Sequence, residues 1–341
     1  MSRQAAVLAL AHGLAVAGLQ LAGPALSSTA ASTPATTPAT TTAALIQLGG
    51  PPLAPGQSRG QVSIPLERAT GGDTPVLSLQ SRGGPVRLLL DTGASTTLVT
   101  PELVRRLGLE SRVVDPKTFA LAGAGEACPD LKPRRVKLPE LVLAAAGERL
   151  QLSGMEALVL PVAGLPPGVD GVLGAPQLRQ QPLWIDPHGQ RLSLGPLALA
   201  DADRFRRGDQ AGASTSLNLV WREGVPLLLI SSPAGLALAL ADTGAEGLFI
   251  TAGLAARLRP LAPASALRLT GFCGEQSARR QVVSGLALPG GDPGQAVDAI
   301  VTANPIFESL RVEAIVGQEL LRHRAQLWRL DAVPATLRLW P

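Results

Sequence analysis

Aromatic residues and cysteine are scarce in this chain of 341 residues. Tyrosine is absent and aromatic residues make up 3% of the sequence, so the core has to be built mainly from Leu, Val, Ile and Ala. Two cysteines allow one disulfide at most, which excludes a disulfide scaffold and a cysteine-rich metal centre. Three histidines leave little for a histidine-based metal site or a Ser-His-Asp triad. Carboxylates are therefore the best candidates for any catalytic chemistry.

Charge is also limited, at 16% charged residues and a net charge of +4, and the basic excess is small and scattered. This distribution disfavours nucleic acid as a partner. Apolar residues make up 46% of the chain, which excludes wholesale disorder. We predict a chain that needs no cofactor and no metal.

The N-terminal residues are typical of a targeting segment. Arg3 precedes an apolar run over residues 5–26, which is followed by small residues. A signal peptide within residues 1–32 and an uncleaved membrane anchor both fit this pattern. Both alternatives predict that the rest of the chain is periplasmic, lumenal or secreted, with membrane contact only through such an anchor.

Two shifts in composition divide the remaining sequence. Residues 33–60 are rich in Thr, Ala, Pro and Gly, and we predict a disordered spacer there that serves as a tether or as a propeptide. Residues 201–214 are charged and small, and we predict a linker between two lobes at residues 61–200 and 215–341.

The two predicted lobes contain the same pattern. Pro75–Leu107 and Pro226–Leu258 align without a gap, 151 residues apart. Each stretch predicts a strand, a turn, a second strand ending in Asp-Thr-Gly-Ala, a short strand and a helix capped by Thr100 or Thr251. The sequence therefore predicts an internal repeat of a mainly β unit with short helices.

A second motif follows in each lobe. Gly171–Gly174 and Ala314–Gly317 are apolar strands that end in glycine and lead into a short helix. We expect Gly174 and Gly317 to let this strand pass close behind the Asp-Thr-Gly loop.

The segments LLLDTGASTTLV, GVLG, LALADTGAEGLFI and AIVGQELL resemble the conserved blocks of aspartic peptidases, most closely the retropepsin-like branch. The resemblance covers both lobes, from about residue 62 to residue 341. It implies an all-β fold of two pseudo-symmetric lobes with the active site between them. It also implies an aspartic endopeptidase that acts as a monomer on polypeptides, with Asp91 and Asp242 as the catalytic pair.

Two adjacent carboxyl groups suit peptide hydrolysis because they share one proton. One carboxylate takes a proton from the attacking water, and the other carboxyl group protonates the carbonyl oxygen. Gly93 and Gly244 allow the backbone to approach closely. The resemblance implies that Thr92 and Thr243 hydrogen-bond across the lobe interface.

Flaps that cover the substrate are predicted at Ala122–Glu126 and Gly271–Gly274, with Gly123, Gly125 and Gly271 as candidate substrate-binding residues. Plain surface turns are the alternative. Because pepsin-type flaps use a tyrosine and this chain has none, the retropepsin type is favoured.

The sequence departs from the retropepsin pattern at two places in each lobe. Ser95 and Glu246 stand where the family has an Asp that grips the substrate backbone, and we expect Glu246 to replace this Asp and Ser95 to replace it only in part. Ala175 and Gln318 stand where the family has an Arg, so the usual Asp–Arg pair is missing.

The two cysteines, Cys128 and Cys273, fall near the predicted flaps, one in each lobe. They either pair, in an oxidising compartment, or remain two separate thiols.

Two other classes of protein share features with this sequence. DTGAST superficially matches the phosphate-binding turn of actin-like ATPases, but no adenosine-binding glycine motif accompanies it. A catalytically inactive peptide-binding module on the same fold is the stronger alternative. Loss of activity usually changes an Asp or a Gly in one copy, whereas both copies are intact here.

Overall fold

The computed structural model describes residues 39–40, 44–115, 117, 119–125, 131–162, 164–208 and 212–341. All of these residues fall in one compact unit. Within them, no helix is long and apolar enough to cross a membrane. The predicted signal peptide or anchor lies outside the described residues.

The described chain is mainly β with short helices, which confirms the predicted fold class. The strands that precede residue 200 are β1 Ala39–Thr40, β2 Leu45–Gln47, β3 Gln57–Pro65, β4 Glu67–Arg68, β5 Pro75–Ser81, β6 Gly84–Asp91, β7 Leu98–Val99, β8 Ser111–Val113, β9 Leu121–Gly123, β10 Arg134–Lys137, β11 Leu141–Ala145, β12 Glu148–Ser153, β13 Glu156–Val159, β14 Gly171–Gly174, β15 Leu183–Asp186 and β16 Arg191–Leu194. The strands that follow are β17 Thr215–Arg222, β18 Val225–Ser232, β19 Gly235–Ala241, β20 Leu248–Ile250, β21 Arg259–Pro260, β22 Ser265–Gly271, β23 Gly274–Ser284, β24 Val297–Val301, β25 Ala314–Val316, β26 Ala325–Arg329 and β27 Ala335–Trp340. The helices are α1 Pro101–Arg106, α2 Ala175–Leu178, α3 Pro196–Arg207, α4 Ala252–Ala255, α5 Ile306–Leu310 and α6 Gln318–Leu321.

The strands around the two Asp-Thr-Gly motifs are paired in the same way in residues 61–200, the first half, and in residues 215–341, the second half. β5 and β6 form an antiparallel hairpin, as do β18 and β19. β14 then pairs in parallel with β6, and β25 pairs in parallel with β19. Each Asp therefore lies at the end of a strand that is flanked on both sides. The division into two separate lobes remains a prediction.

The helices after the motifs begin as expected. The side chain of Thr100 accepts a hydrogen bond from the backbone N–H of Leu103, and that of Thr251 accepts one from Leu254. Each threonine satisfies a backbone donor of the first helical turn that has no partner within the helix.

One antiparallel sheet of six strands joins the two halves, in the order β3–β16–β15–β26–β27–β17. β15 of the first half pairs with β26 of the second, with Leu183 opposite Trp328 and Trp184 opposite Leu327. The side chains of Trp184 and Trp328 are buried. Strands that are far apart in sequence thereby hold the halves together.

Both predicted connecting segments contain regular structure. Residues 201–207 of the predicted linker belong to helix α3, whose buried residues include Asp201 and Ala202. In the predicted spacer, residues 39–40, 45–47 and 57–60 are strands, so the prediction of disorder is wrong at these positions. Residues 45–47 are ordered because the short apolar stretch Ala44–Ile46 is completely buried. Residues 57–60 are ordered because they pair with strand β12.

Candidate active site

Asp91 and Asp242 lie at equivalent strand ends. Asp91 is the last residue of β6 and is paired with Gly174 in β14. Asp242 directly follows β19, and its backbone N–H donates to the carbonyl oxygen of Val316 in β25, 2.9 Å away. Both side chains are fully buried. The strand pairings thus fix the backbone of Asp91 and of Asp242, from which the two carboxyl groups project.

The structure brings the two Asp-Thr-Gly loops together. A Cβ atom added to Gly93 would lie 2.3 Å from the carboxyl carbon of Asp242, and one added to Gly244 would lie 2.4 Å from that of Asp91. Each carboxyl group also accepts a 2.8 Å hydrogen bond from its own loop, from the N–H of Gly93 or of Gly244. Glycine is therefore required at both positions by the carboxyl group of the opposite half.

Burial raises the pKa of both carboxyl groups. The pKa of Asp91 lies well above its ordinary value because of burial first and the negative charge of Asp242 second. Burial also raises the pKa of Asp242, to about 6, against the lowering effect of hydrogen bonds from the N–H groups of Gly244, Ala245 and Ala44. Each carboxyl group therefore holds its proton to higher pH than an exposed Asp, and the two groups titrate as a pair.

Thr92 and Thr243 connect the two loops with four reciprocal hydrogen bonds. The backbone N–H of Thr92 donates to Oγ1 of Thr243, 3.1 Å away, and the N–H of Thr243 donates to Oγ1 of Thr92, 2.9 Å away. Each hydroxyl group then donates over 2.7 Å to a carbonyl oxygen of the other half, that of Ala241 or of Leu90. This network holds the two carboxyl groups in register.

The glycines of the second motif lie behind the loops as expected. A Cβ atom on Gly174 would lie 2.6 Å from the backbone of Thr96, and one on Gly317 would lie 2.2 Å from the carbonyl oxygen of Ala245. The residues after these glycines also support the loops. The N–H of Ala175 donates to Ala94 O, and Gln318 donates from its N–H to Ala245 O and from Nε2 to Thr243 O.

Gln318 is a supporting residue that the sequence analysis noted only as a departure from the family pattern. Its amide contacts a backbone carbonyl of the second Asp-Thr-Gly loop at 2.7 Å, and its side chain is buried. The sequence signal for this supporting role is the position of Gln318 directly after the apolar-Gly motif.

Ser95 and Glu246, which follow the two motifs, have different contacts. Ser95 donates its N–H to Leu45 O over 2.9 Å and accepts the N–H of Gln47 on its Oγ over 2.7 Å. Glu246 accepts hydrogen bonds from the backbone of Asp73 and of Thr74. Ser95 therefore grips an extended chain segment, whereas Glu246 ties the second loop to the first half.

The predicted flaps meet each other. Cys273 donates its N–H to Ala124 O over 2.8 Å, and the N–H of Gly125 donates to Oε1 of Gln276 over 2.9 Å. A Cβ atom on Gly271 would lie 2.4 Å from the Cβ of Ala124. Residues 122–125 and 271–273 are buried, unlike plain surface turns. Glu126, at the end of the first predicted flap, lies outside the described residues.

The predicted flap of the second half contains a disulfide-bonded cysteine, Cys273. The other cysteine of the chain, Cys128, lies outside the described residues. A cross-link at a flap tip limits how far that tip can separate from the structure to which it is bonded.

The crowding at Gly93 leads to a first prediction. We expect Gly93→Ala to lower the free energy of unfolding by about 1–3 kcal/mol, because the added methyl group overlaps the buried Asp242 carboxyl group. Denaturant unfolding measures this change. The control is Gly253→Ala in α4, where the nearest atom would lie 3.9 Å away and alanine favours the helix. Equal stability of the two variants would contradict the close approach of the loops.

Two buried carboxyl groups on paired Asp-Thr-Gly loops are the arrangement that the resemblance to aspartic peptidases implies. Residues 77–176 match the family model described as aspartyl protease, which confirms the predicted resemblance. The matched segment includes Asp91 and ends before Asp242. No curated protein matches the chain in sequence.

Among solved structures, the chain is similar to conglutin gamma, a basic 7S globulin from lupine seeds, with a TM-score of 0.46 and 10% identity. It is also similar to basic 7S globulin from soybean, with a TM-score of 0.44 and 12% identity. Each similarity covers 82% of this chain and 94% of the other chain.

Proposed function

We propose that the chain is an aspartic endopeptidase that hydrolyses peptide bonds with a water molecule activated between Asp91 and Asp242. One observation carries the proposal: the two carboxyl groups are buried against each other's glycine loops, where burial raises the pKa of both. A pair of carboxyl groups that shares one proton can serve as acid and as base in the same reaction.

In the proposed reaction, the Asp242 carboxylate takes a proton from water, and the water oxygen bonds to the carbonyl carbon of the peptide. Asp91 gives its proton to the carbonyl oxygen in the same step. The tetrahedral intermediate then breaks its C–N bond as Asp242 passes its proton to the leaving nitrogen. Asp91 regains a proton from one hydroxyl group of the intermediate, which restores the pair.

We further propose that the chain works as a monomer outside the cytoplasm. The signal-like pattern of residues 5–26 supports this location, as does the disulfide at Cys273, because disulfides persist in oxidising compartments. The presence of two Asp-Thr-Gly loops in one chain supports a site that needs no second copy.

The purified chain tests the proposal by its action on an unfolded protein at mildly acidic pH. We expect new peptide ends, and we expect the aspartic peptidase inhibitor pepstatin to prevent their formation. Cleavage that pepstatin leaves unchanged would contradict the proposal. Peptide binding without cleavage would favour the inactive peptide-binding module.

A further inference from the structure

A cavity, here called the β23 pocket, lies beside strand β23 of the second half. It has a volume of about 550 Å³, which is typical of ligand sites, and it is also lined by helix α5 and by the end of β24. Its lining includes the buried apolar side chains of Ala278, Val301 and Phe307. No residue of an Asp-Thr-Gly loop or of a predicted flap is among the described residues that line it. The β23 pocket is therefore separate from the candidate active site.

Strand β23 has an open edge at this pocket. Residues 274–280 pair with β22 on one edge, whereas β24 pairs with the other edge only over Arg279–Val283. The carbonyl oxygen of Val282 accepts the N–H of Leu261, which precedes β22, so the backbone groups of Val282 point to the β22 edge. These groups alternate along a strand, so those of Ser277, five residues earlier, point to the other edge.

The backbone of Ser277 is therefore available to a ligand. Ser277 lines the β23 pocket and is exposed. Within the ranges that the structure describes, no hydrogen bond reaches its N–H. An open strand edge of this kind binds extended peptides, which add one more strand to the sheet. The edge thus favours a peptide over a ligand that has no backbone to pair.

Asn304 adds a buried hydrogen-bond donor to the lining of the pocket. It is 2% exposed, and its Oδ1 accepts the N–H of Ile306 over 3.0 Å. Its Nδ2 group has no hydrogen-bond partner among the described residues. A buried donor without a partner is costly, because it has lost its hydration and gained nothing in return. A carbonyl oxygen in the pocket would supply the missing acceptor.

The charged side chains of the pocket have opposite signs. Arg279 and Glu308 both line it, and both are exposed. Neither forms an ion pair with another residue in the described part of the chain. One positive and one negative group give the pocket no net charge, which disfavours a phosphate or another strongly charged ligand. The charges therefore favour an uncharged ligand, such as a stretch of peptide without ionised side chains.

We propose that the β23 pocket binds an extended, uncharged peptide segment that carries one large aliphatic side chain. The peptide backbone adds a strand to β23 at Ser277, and its aliphatic side chain packs on Ala278, Val301 and Phe307. One of its carbonyl oxygens accepts a hydrogen bond from Nδ2 of Asn304. The inference stands without the proposed function, since the pocket contains neither of the two paired carboxyl groups.

The probe is the peptide Thr-Ser-Leu-Ser-Thr, blocked at both ends and labelled with fluorescein. Fluorescence anisotropy measures its binding to the natural full chain, and mass spectrometry verifies afterwards that the probe is intact. If the probe is cut, the measurement is repeated with Asp91→Asn/Asp242→Asn. We expect saturable binding, and we expect Thr-Ser-Asp-Ser-Thr to bind at least about tenfold more weakly, because its charge would lose hydration on an apolar surface. Absence of saturable binding of the leucine peptide would overturn the inference, whether or not the chain is a peptidase.

Filling the pocket locates the binding. Ala303 is an exposed residue of its lining, and we expect Ala303→Trp to weaken binding of the probe at least about tenfold by occupying the cavity. The matched control is Ala262→Trp, because Ala262 is also exposed but does not line the pocket. Equal affinity of the two variants would mean that the probe binds elsewhere, which overturns the inference.

Two further variants test the individual contacts. Asn304→Asp keeps the oxygen that accepts the N–H of Ile306 and removes the donor, so we expect roughly tenfold weaker binding. Ser277→Pro removes the N–H at the open edge without removing a hydrogen bond to β22, and it should also weaken binding, whereas Ser277→Ala should not. Thermal unfolding verifies that each variant is folded. Natural affinity in both Asn304→Asp and Ser277→Pro would contradict the proposed mode of binding.

Discussion

Replacement of Asp91 or Asp242 by Asn should lower the rate of peptide cleavage by about 10³-fold or more, since either change removes one partner of the acid–base pair. Asn cannot carry the shared proton from Asp91 to the carbonyl oxygen, nor can it accept a proton from water in the place of Asp242. The two single variants should be about equally inactive, and the double variant should be little worse, because the carboxyl groups act as a unit.

The rate is measured with the purified chain and an unfolded protein as the substrate. Asp203→Asn is the matched control, since Asp203 lies on helix α3 and is exposed. Urea unfolding shows whether each variant keeps its fold. Near-normal turnover by Asp91→Asn or by Asp242→Asn would disprove the two-carboxylate mechanism.

The buried pair Asp91 and Asp242 should also make the folded chain less stable as the pH rises from about 4 to about 7. Burial raises the pKa of Asp242 from 3.8 to about 6, so between these values the folded chain binds more protons than the unfolded chain. The contribution of Asp242 to the free energy of unfolding is complete below pH 3.8 and is lost as the pH rises past about 6. The loss amounts to about 3 kcal/mol. Asp91, whose pKa is raised further, extends the loss to higher pH.

Denaturant unfolding at a series of pH values measures this effect as the difference between the natural chain and Asp91→Asn/Asp242→Asn. The double variant retains the other ionisable groups, so their contributions largely cancel. We expect the difference to fall steadily as the pH rises, with Asp203→Asn as the control for loss of a surface carboxyl group. A difference that stays constant from pH 4 to pH 7 would mean that burial does not raise the pKa of the pair.

Much of the site could be predicted from the sequence because its key residues are close together in local motifs. Each Asp-Thr-Gly loop follows its strand directly, and Thr100 and Thr251 are helix caps with partners three residues away. The repeat at a fixed separation then indicates which two aspartates meet. Local order and internal repetition were sufficient to predict the mainly β fold and the meeting of Asp91 and Asp242.

The contacts that could not be predicted join residues that are far apart and carry no repeating pattern. Glu246 binds the backbone of Asp73 and Thr74 from more than 170 positions away. Ala44–Gln47 is too short to show a strand period, and the Pro- and Thr-rich sequence around it indicated a spacer. Its order comes from the flap and from Ser95, neither of which is a sequence neighbour.

Ser95 and Glu246 hold the same position in the two halves but have different hydrogen-bond partners, so the cleft between the halves is not symmetric. Two identical halves would accept a peptide equally well in either N-to-C orientation, because a twofold rotation exchanges its ends. Here Ser95 bonds to Gln47, whereas Glu246 is committed to residues 73–74. The two ends of the cleft thus differ chemically, so we expect a bound peptide to prefer one N-to-C orientation.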